Sequence, residues 1–326
     1  MDRNLKIGFI GFGKHAQKLL NMIVLSYPLS SFKLFNHREN YDKTIENLEN
    51  VYNLEDLNDC DAVFIVSPNS THFNYIKFLV NNYNGYVFCE KPPVTQDEEI
   101  RYLETIPKGV KKRFYFNFNY RFSPYVESLK YDPEKYALGR LVTASIIQGH
   151  GYAFKDCYKS NWRSSCKTHK SGVFETFAIH FADMFVYCFG FPEKFSNYTA
   201  SFSLCSDSID NASFMCQFTN KATLTLSVSY TTPKINSVVF VYENGYIEFS
   251  DTKKIYGPRD FFDENGLFIE PPLIAQETID SDIHFESLKS SVEYFMEKVE
   301  KEECFDIKEF DCSIETNKLL LVSKNL

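Results

Sequence analysis

The sequence predicts an α/β protein in which a doubly wound parallel sheet is followed by an α+β domain with a large, mainly antiparallel open sheet. Three observations lead to this prediction. The first third of the chain alternates short apolar runs with helical patterns, the part after about Leu141 is rich in alternating β-branched runs, and 326 residues are enough for two domains. We place the boundary near Tyr120, with domains at residues 1–120 and 121–326.

The predicted strands of the first domain are five short apolar runs bounded by Gly, Pro, Asn or Asp. They lie at Ile7–Phe12, Phe32–Phe35, Ala62–Val66, Tyr86–Cys89 and Phe114–Phe118, and helical patterns such as His72–Val80 and Asp97–Leu103 separate them. Strands that alternate with helices pair in parallel through right-handed crossovers. We therefore expect the carboxyl ends of these strands to meet at one edge of the sheet, where ligands bind.

The second domain is predicted from longer runs with an alternating or β-branched pattern. These runs are Val142–Ile147, Ser213–Phe218, Ala222–Tyr230, Ser237–Tyr242 and Tyr246–Ser250, and helical patterns cover Val173–Phe189 and Ile283–Val299. The dipeptide Asn244-Gly245 between the last two runs predicts a tight hairpin turn.

Composition excludes several classes of function. The net charge of -8 has no basic stripe to offset it, which argues against a nucleic-acid partner. The nine cysteines include no C-x-x-C pair, which indicates reduced thiols. No apolar run reaches the ~20 residues of a membrane span, and no signal peptide is visible. We expect a cytoplasmic protein without a membrane partner.

A glycine-rich turn follows the first strand, and its residues are Gly11, Gly13, Lys14, His15 and Ala16. The first glycine can take the backbone angles of the turn, and the second lets a pyrophosphate approach the backbone. The alanine is small enough for close packing of the next helix on the strand. A pyrophosphate would sit on the free N–H groups of that helix. The motif therefore predicts an NAD(P)-binding Rossmann domain, with these five residues at the cofactor.

The end of the second strand bears on the choice of cofactor. Asn36, His37 and Arg38 stand about 25 residues after Gly11, where an NAD-binding domain usually carries Asp or Glu for the ribose hydroxyls. Arg38 can instead neutralise a 2′-phosphate while Asn36 or His37 donates a hydrogen bond. The sequence favours NADP(H) over NAD(H), and a solvated loop arginine is the alternative.

Polar residues also follow the strand Ala62–Val66, namely Ser67, Pro68, Asn69 and His72. A turn with a helix cap accounts for the hydroxyl groups of this segment. Its place at the ligand edge of the sheet nevertheless predicts contact with the nicotinamide half of the cofactor.

The next strand ends in Glu90 and Lys91, which are followed by two prolines. The prolines stiffen the backbone behind the lysine. An ammonium group held in the crevice can donate to a substrate oxygen, and partial desolvation lowers the pKa of a lysine so that it can act as an acid or base. Lys91 is a candidate catalytic residue, with a surface lysine as the alternative, and Glu90 is assigned to the cofactor site.

In their order and spacing these motifs resemble the Gfo/Idh/MocA (glucose–fructose oxidoreductase/inositol dehydrogenase) family of NAD(P)-dependent oxidoreductases. The resemblance extends over nearly the full chain, through Asn119–Pro124, Leu138–Leu141, Asn161–Arg163, Gly172–Asp183 and the Gly245 hairpin. It implies hydride transfer between nicotinamide and a secondary alcohol or ketone carbon of a sugar, cyclitol or nucleotide sugar, with surface-glycan synthesis as a biological setting. It also implies a homodimer or homotetramer formed through the C-terminal sheet.

The resemblance further implies that Lys91 binds substrate and assists proton transfer. Relatives carry a helix with an Asp four residues before a His and another Asp three residues after it, and this chain has Thr176, His180 and Asp183. On a regular α-helix these three positions share one face, so Thr176 stands where a carboxylate is expected. His180 with Lys91 is then sufficient for proton transfer, or the substrate differs, or the protein is a cofactor-binding regulatory or scaffold protein without catalysis.

The remaining candidates are assigned by the same resemblance. Tyr120 and Arg121 face the interdomain cleft as substrate contacts, with an interdomain salt bridge as the alternative for the arginine. Tyr152 and Trp162 are further substrate contacts, and Arg163 contacts cofactor or an anionic substrate group. No set of His, Cys, Asp and Glu has metal-ligand spacing, so the sequence predicts no metal.

Overall fold

The computed structural model describes residues 4–35, 47–167, 169, 171–204, 206–258, 260–279 and 282–322. Contacts between Cα atoms divide the chain into two compact units, one of residues 1–119 with 288–321 and the other of residues 120–287 with 322–326. The N-terminal part of the first unit ends at Asn119, and residues 288–321 complete that unit.

The first unit contains a six-stranded parallel sheet. Its strands are β1 (Lys6–Ile10), β2 (Ser31–Phe35), β3 (Leu48–Val51), β4 (Ala62–Ile65), β5 (Tyr86–Glu90) and β6 (Phe114–Asn117). Their order is β3-β2-β1-β4-β5-β6, and the pairing of β1 with both β2 and β4 is parallel. This is the predicted doubly wound sheet, and its order reverses between β1 and β4, the place where such sheets bind ligands.

The helices of the chain are α1 (Lys14–Ser26), α2 (His72–Asn82), α3 (Asp97–Thr105), α4 (Lys108–Lys111), α5 (Pro124–Lys135), α6 (Ile179–Phe189), α7 (Ile283–Glu300) and α8 (Ile307–Val322). Phe295 of α7 explains why the C-terminal residues belong with the first unit. Its ring packs edge-on against Phe64 and Phe88 of the parallel sheet, with centroids 5.1 and 5.3 Å away. None of the described helices is long and apolar enough to cross a membrane.

The second unit contains an eight-stranded sheet. Its strands are β7 (Leu141–Gly149), β8 (Lys194–Ala200), β9 (Asn211–Gln217), β10 (Thr223–Ser229), β11 (Ile235–Tyr242), β12 (Gly245–Phe249), β13 (Thr252–Tyr256) and β14 (Leu273–Thr278), in the order β14-β13-β12-β11-β7-β10-β9-β8. The strands pair antiparallel except for β7 and β10, which run parallel. The predicted mainly antiparallel sheet is confirmed. Because β7 and β10 run parallel, the residues that follow these two strands lie at the same edge of the sheet.

The β11–β12 hairpin lies where the sequence predicts it, but Gly245 is required for a reason other than the turn. Tyr242 pairs with Gly245, so the two turn residues are Glu243 and Asn244, one position earlier than expected. A Cβ atom on Gly245 would lie 2.0 Å from the carbonyl oxygen of Tyr256. The glycine is therefore required by the close approach of β13 and not by the angles of the turn.

The segment predicted as one helix over Val173–Phe189 consists of two parts. A π-helical turn at Phe174–Ala178 precedes α6. Because the turn is wound more widely than an α-helix, the regular helix assumed for Thr176, His180 and Asp183 does not extend over Thr176. His180 and Asp183 both lie in α6, three residues apart.

Candidate functional site

The glycine turn of the first unit leaves open backbone at the start of α1. Gly11 has a φ of +89°, and a Cβ there would lie 2.9 Å from the Cα of Ser67. Gly13 precedes α1 with a φ of -77°, and a Cβ there would meet no atom within 4 Å. Ala16 is fully buried, as close packing of α1 on the sheet requires. Because the first N–H groups of a helix lack partners within it, this exposed end fits the pyrophosphate of a dinucleotide.

The turn after β4 lies against the glycine turn. The Ser67 hydroxyl is 2.7 Å from the Thr71 hydroxyl, which also donates to the Pro68 carbonyl oxygen at 2.7 Å. Pro68 is exposed and Asn69 half-buried, so both are accessible as predicted cofactor contacts. His72 differs from the sequence expectation, because its ring is fully buried and its nitrogens face the backbone.

Glu90 joins the glycine turn to the loop that carries Lys91. Its Oε1 atom is 2.8 Å from His15 Nε2 and accepts a hydrogen bond of 2.7 Å from the Asn117 amide. Burial by itself would raise the pKa of Glu90, but the charge and hydrogen bond of His15, the Asn117 amide and the nearby Lys91 lower it to about 2. The carboxyl group is therefore ionised at neutral pH, and it fixes the residue that precedes Lys91.

The other side of the Lys91 loop is fixed by two further side chains. His72 Nδ1 lies 2.9 Å from the Pro92 carbonyl oxygen. The Asn317 side chain accepts from the Val94 N–H at 2.9 Å and donates to the Val94 carbonyl at 3.1 Å. Lys91 is half-buried between these anchors and Glu90, so its backbone is held on both sides.

In the second unit, His180 belongs to a cluster of rings. The residue is 5% exposed, and its ring centroid lies 4.9 Å from that of Tyr120 and 5.5 Å from that of His284. Burial raises the pKa of Tyr120, so its phenol is neutral. Sequence reasoning missed His284, since a lone histidine in the first turn of α7 carries no local signal for partners that lie more than 100 residues earlier in the chain.

Arg121 is buried in an ion pair. Its Nε donates to Asp183 Oδ2 at 2.8 Å and its Nη2 to Oδ1 at 2.6 Å, and Asp183 is fully buried. The pair connects α6, which carries Asp183, to the segment before α5, which carries Arg121. The pair lies within the second unit and is therefore not the interdomain salt bridge considered as the alternative, and the contact of Arg121 with substrate stays a prediction.

The Thr176 side chain is hydrogen-bonded to Tyr230, a residue that the sequence analysis did not select as a candidate. Its Oγ1 atom lies 2.6 Å from the hydroxyl of Tyr230, which directly follows β10. The Tyr230 ring stacks on His150 at 5.1 Å and meets Tyr152 edge-on at 5.5 Å. Burial raises the pKa of Tyr230 to about 12 although the Thr176 bond opposes this, and burial lowers the pKa of His150. The parallel pairing of β7 with β10 brings these residues together.

Trp162 and Arg163 form a stacked pair on a short helical turn. The guanidinium carbon lies 4.5 Å from the indole centroid, and the indole is 39% exposed. Asn161 Oδ1 accepts from the backbone N–H of Arg163 at 3.0 Å and holds the turn. Both side chains remain predicted ligand contacts.

Two further predictions from the sequence concern recognition of the cofactor ribose and the presence of a metal ion. Asn36, His37 and Arg38, the predicted readers of the cofactor ribose, lie outside the described residues. Within the part of the chain that the structure describes, no group of three or more His, Cys, Asp and Glu side chains could hold a metal ion.

A doubly wound domain with an open glycine turn, joined to a unit built on a large open sheet, defines a class of two-domain dinucleotide-binding proteins. Residues 5–118 match a family model described as an oxidoreductase family with an NAD-binding Rossmann fold. Residues 134–248 match the Gfo/Idh/MocA C-terminal domain. The chain belongs to the Gfo/Idh/MocA family, which confirms the family and the NAD-type cofactor expected from the sequence.

Two curated relatives are similar to parts of this chain. Glucose-6-phosphate 3-dehydrogenase of Bacillus subtilis is 28% identical over 195 residues, which are 56% of this chain and 53% of the relative. D-glucoside 3-dehydrogenase of Escherichia coli is 24% identical over 134 residues, 40% of this chain and 36% of the relative. The chain thus spans about half the length of the first relative and about a third of the second.

A solved structure covers the whole chain. An oxidoreductase from Thermotoga maritima superposes with a TM-score of 0.81 over 99% of this chain and 96% of its own, at 18% identity. At this level of identity the likeness establishes the fold.

Proposed function

We propose that the protein is an NAD(P)-dependent dehydrogenase acting on a secondary alcohol or ketone carbon of a sugar-like substrate, with carbon 3 of a glucose-type ring as the first candidate. The observation that carries the proposal is Lys91, held on both sides at the ligand edge of a parallel sheet that ends in an open glycine turn. Two relatives named as 3-dehydrogenases of glucose compounds support the choice of substrate and carbon.

The reaction needs a group that moves one proton. Oxidation of a CH–OH group to a ketone releases a hydride and a proton, and a bound nicotinamide would supply the hydride acceptor. The Lys91 amine would take the hydroxyl proton during oxidation, and the ammonium would return it during reduction. We assign His180 as a second group able to exchange protons with substrate, since imidazole titrates near neutrality.

The stacked pair Trp162–Arg163 would account for substrate recognition. The exposed face of an indole suits the C–H surface of a sugar ring, and a guanidinium suits a phosphate. A sugar phosphate or a nucleotide sugar satisfies both requirements. Turnover of a nucleotide sugar would support the expected role in surface-glycan synthesis.

The experiment is a substrate screen that follows nicotinamide absorbance with glucose 6-phosphate, simple glucosides and UDP-sugars. Lys91→Ala should lower turnover of the best substrate by about 100-fold or more while cofactor affinity is retained. Lys77→Ala, which removes an exposed lysine of α2, is the matched control and should behave as the wild type.

Thr176 favours a second candidate function, a regulatory or scaffold protein that binds cofactor without catalysis. A neutral Thr176–Tyr230 pair stands at the position where the family resemblance implies a carboxylate. In that case NAD(P)H would bind tightly, no sugar in the screen would be turned over, and Lys91→Ala would change nothing that can be measured.

We further propose that the eight-stranded sheet forms a homodimer or homotetramer. Ile147, Met215 and Ile235 are 44%, 54% and 41% exposed, and strand register places them on one face of the sheet. Exposed apolar sheet surface tends to be covered by a partner. Light scattering should give a mass of at least two chains, and Met215→Lys with Ile147→Lys should reduce it to one.

A further inference from the structure

His72 lies between two backbone carbonyl groups. It is the first residue of α2 and is fully buried. Its Nδ1 atom is 2.9 Å from the Pro92 carbonyl oxygen, and its Nε2 atom is 2.9 Å from the Ser67 carbonyl oxygen. The ring thus spans from the end of β4 to the loop after β5.

A carbonyl oxygen accepts hydrogen bonds and cannot donate them. A neutral imidazole has one N–H and one nitrogen lone pair, so it would satisfy one carbonyl and turn its lone pair toward the other. The other neutral tautomer exchanges the roles of the two nitrogens, so one of the two carbonyl oxygens again faces a lone pair. An imidazolium carries a proton on both nitrogens and donates to both carbonyls. We infer that His72 is an imidazolium at neutral pH and is a positioning residue for Lys91.

Burial disfavours the charged form of an imidazole, so the charged groups on the segments that meet His72 have to be considered. Glu90 and Lys91 directly precede Pro92 in sequence, His15 contacts Glu90, and the Glu99 carboxylate accepts from Thr95 N–H at the end of the same loop. Glu90 is held ionised by its partners, so the residues before Pro92 carry one carboxylate beside the Lys91 side chain. Hydrogen bonds from a charged donor are also stronger than those from a neutral one.

The consequence for Lys91 follows from its place in the chain. Glu90 is held by His15 and Asn117, and Pro92 is held by His72, so the lysine has one fixed residue on either side. Loss of one His72 proton would break one of the two bonds and release either the β4 turn or the Lys91 loop. The effect on catalysis rests on the proposed function, whereas the charge of the ring does not.

The charge is tested directly by nitrogen NMR of the histidine side chains in the wild-type protein, with His72 assigned through His72→Gln. We expect both ring nitrogens to be protonated at about pH 7.5, where an ordinary histidine with a pKa of ~6.5 is mostly neutral. One unprotonated ring nitrogen at that pH would overturn the inference.

The positioning role is tested by kinetics on the best sugar substrate. His72→Gln, whose amide can donate from one nitrogen only, should lower kcat by about tenfold or more and leave the cofactor Kd nearly unchanged. Thr71→Val is the matched control, because it alters the same turn without touching the ring, and its kcat should exceed that of His72→Gln by the same factor. Equal kcat for His72→Gln and wild type would refute positioning, whereas a wild type without turnover refutes the proposed function and leaves the NMR result to decide the charge.

Discussion

Thr176 Oγ1 and Tyr230 Oη lie 2.6 Å apart and join the π-helical turn before α6 to the end of β10. Burial raises the pKa of Tyr230 to about 12, so the pair carries no charge at neutral pH. Thr176 Oγ1 also donates to the Gly172 carbonyl oxygen at 3.4 Å. A neutral hydroxyl pair can accept a further hydrogen bond but cannot act as a general base at neutral pH. The position that the family resemblance reserves for a carboxylate is therefore suited here to orienting a group and not to removing its proton.

The pair should act as a unit in stability measurements. Thr176→Val or Tyr230→Phe each leaves the other hydroxyl without this partner, and each should lower the free energy of unfolding by about 1–3 kcal/mol. The double variant should lose little more than either single one, as measured by urea denaturation. Thr223→Val, which removes a hydroxyl bonded to Thr143, is the control and should add to Tyr230→Phe. If the losses in the free energy of unfolding caused by Thr176→Val and Tyr230→Phe were additive, the hydrogen bond between the two hydroxyl groups would not form.

The Arg121–Asp183 pair should be sensitive to loss of one partner. Both side chains are buried, so Arg121→Met leaves an uncompensated carboxylate and should lower the free energy of unfolding by about 3–5 kcal/mol. Arg121→Met combined with Asp183→Leu removes both charges and should be more stable than Arg121→Met alone. Chemical denaturation compares the two, and a double variant less stable than the single one contradicts the account.

Glu90 should make stability depend on acid pH. Its pKa is about 2 in the folded protein against 4.5 ordinarily, so the unfolded chain binds the proton more tightly. The stabilisation, about 3 kcal/mol, is present above about pH 4.5 and is lost as the pH falls toward 2. Thermal unfolding of wild type and Glu90→Gln between about pH 6 and pH 3 should show a difference in Tm that narrows with acidification. A constant difference would mean that the carboxylate is not stabilised by its partners.

The local patterns predicted most strands of the two sheets but missed polar edge strands of both, β3 of the parallel sheet and β8 of the mainly antiparallel sheet. The strand β4 is a continuous buried run, whereas β3 has the sequence Leu-Glu-Asn-Val and β8 is largely exposed, so neither carries a period that indicates a strand. Edge strands are partly solvated, and their pairing is decided by the tertiary structure.

The site was predictable where chemistry follows a strand directly, as for Gly11 and Lys91. Its supports were not, because they come from distant parts of the chain. Asn317 lies 223 residues from Val94, and Tyr230 meets His150 only because β10 pairs in parallel with β7. No pattern of spacing specifies such pairings.

Cofactor preference should depend on Arg38. If its guanidinium neutralises the 2′-phosphate, fluorescence titration will show tighter binding of NADPH than of NADH, and Arg38→Ala will remove the difference. The loss should fall on NADPH alone, because NADH has no phosphate at that position. Lys18→Ala, which changes a charge within α1, is the control and should preserve the preference. Tighter binding of NADH by the wild type would show that the arginine does not read the cofactor.

Substitution of the two glycines of the turn should have different effects, on stability for Gly11 and on cofactor affinity for Gly13. Gly11 has a φ of +89°, and a Cβ there would lie 2.9 Å from the Ser67 backbone, so Gly11→Ala should lower the free energy of unfolding by at least about 1 kcal/mol. Gly13 has a φ of -77° and open space around a Cβ, so Gly13→Ala should unfold at nearly the wild-type Tm. Its effect should fall on NAD(P)H affinity, because a methyl group would occupy the approach of the pyrophosphate. Calorimetry and fluorescence titration of both variants separate the two effects, and unchanged affinity in Gly13→Ala would place the pyrophosphate elsewhere.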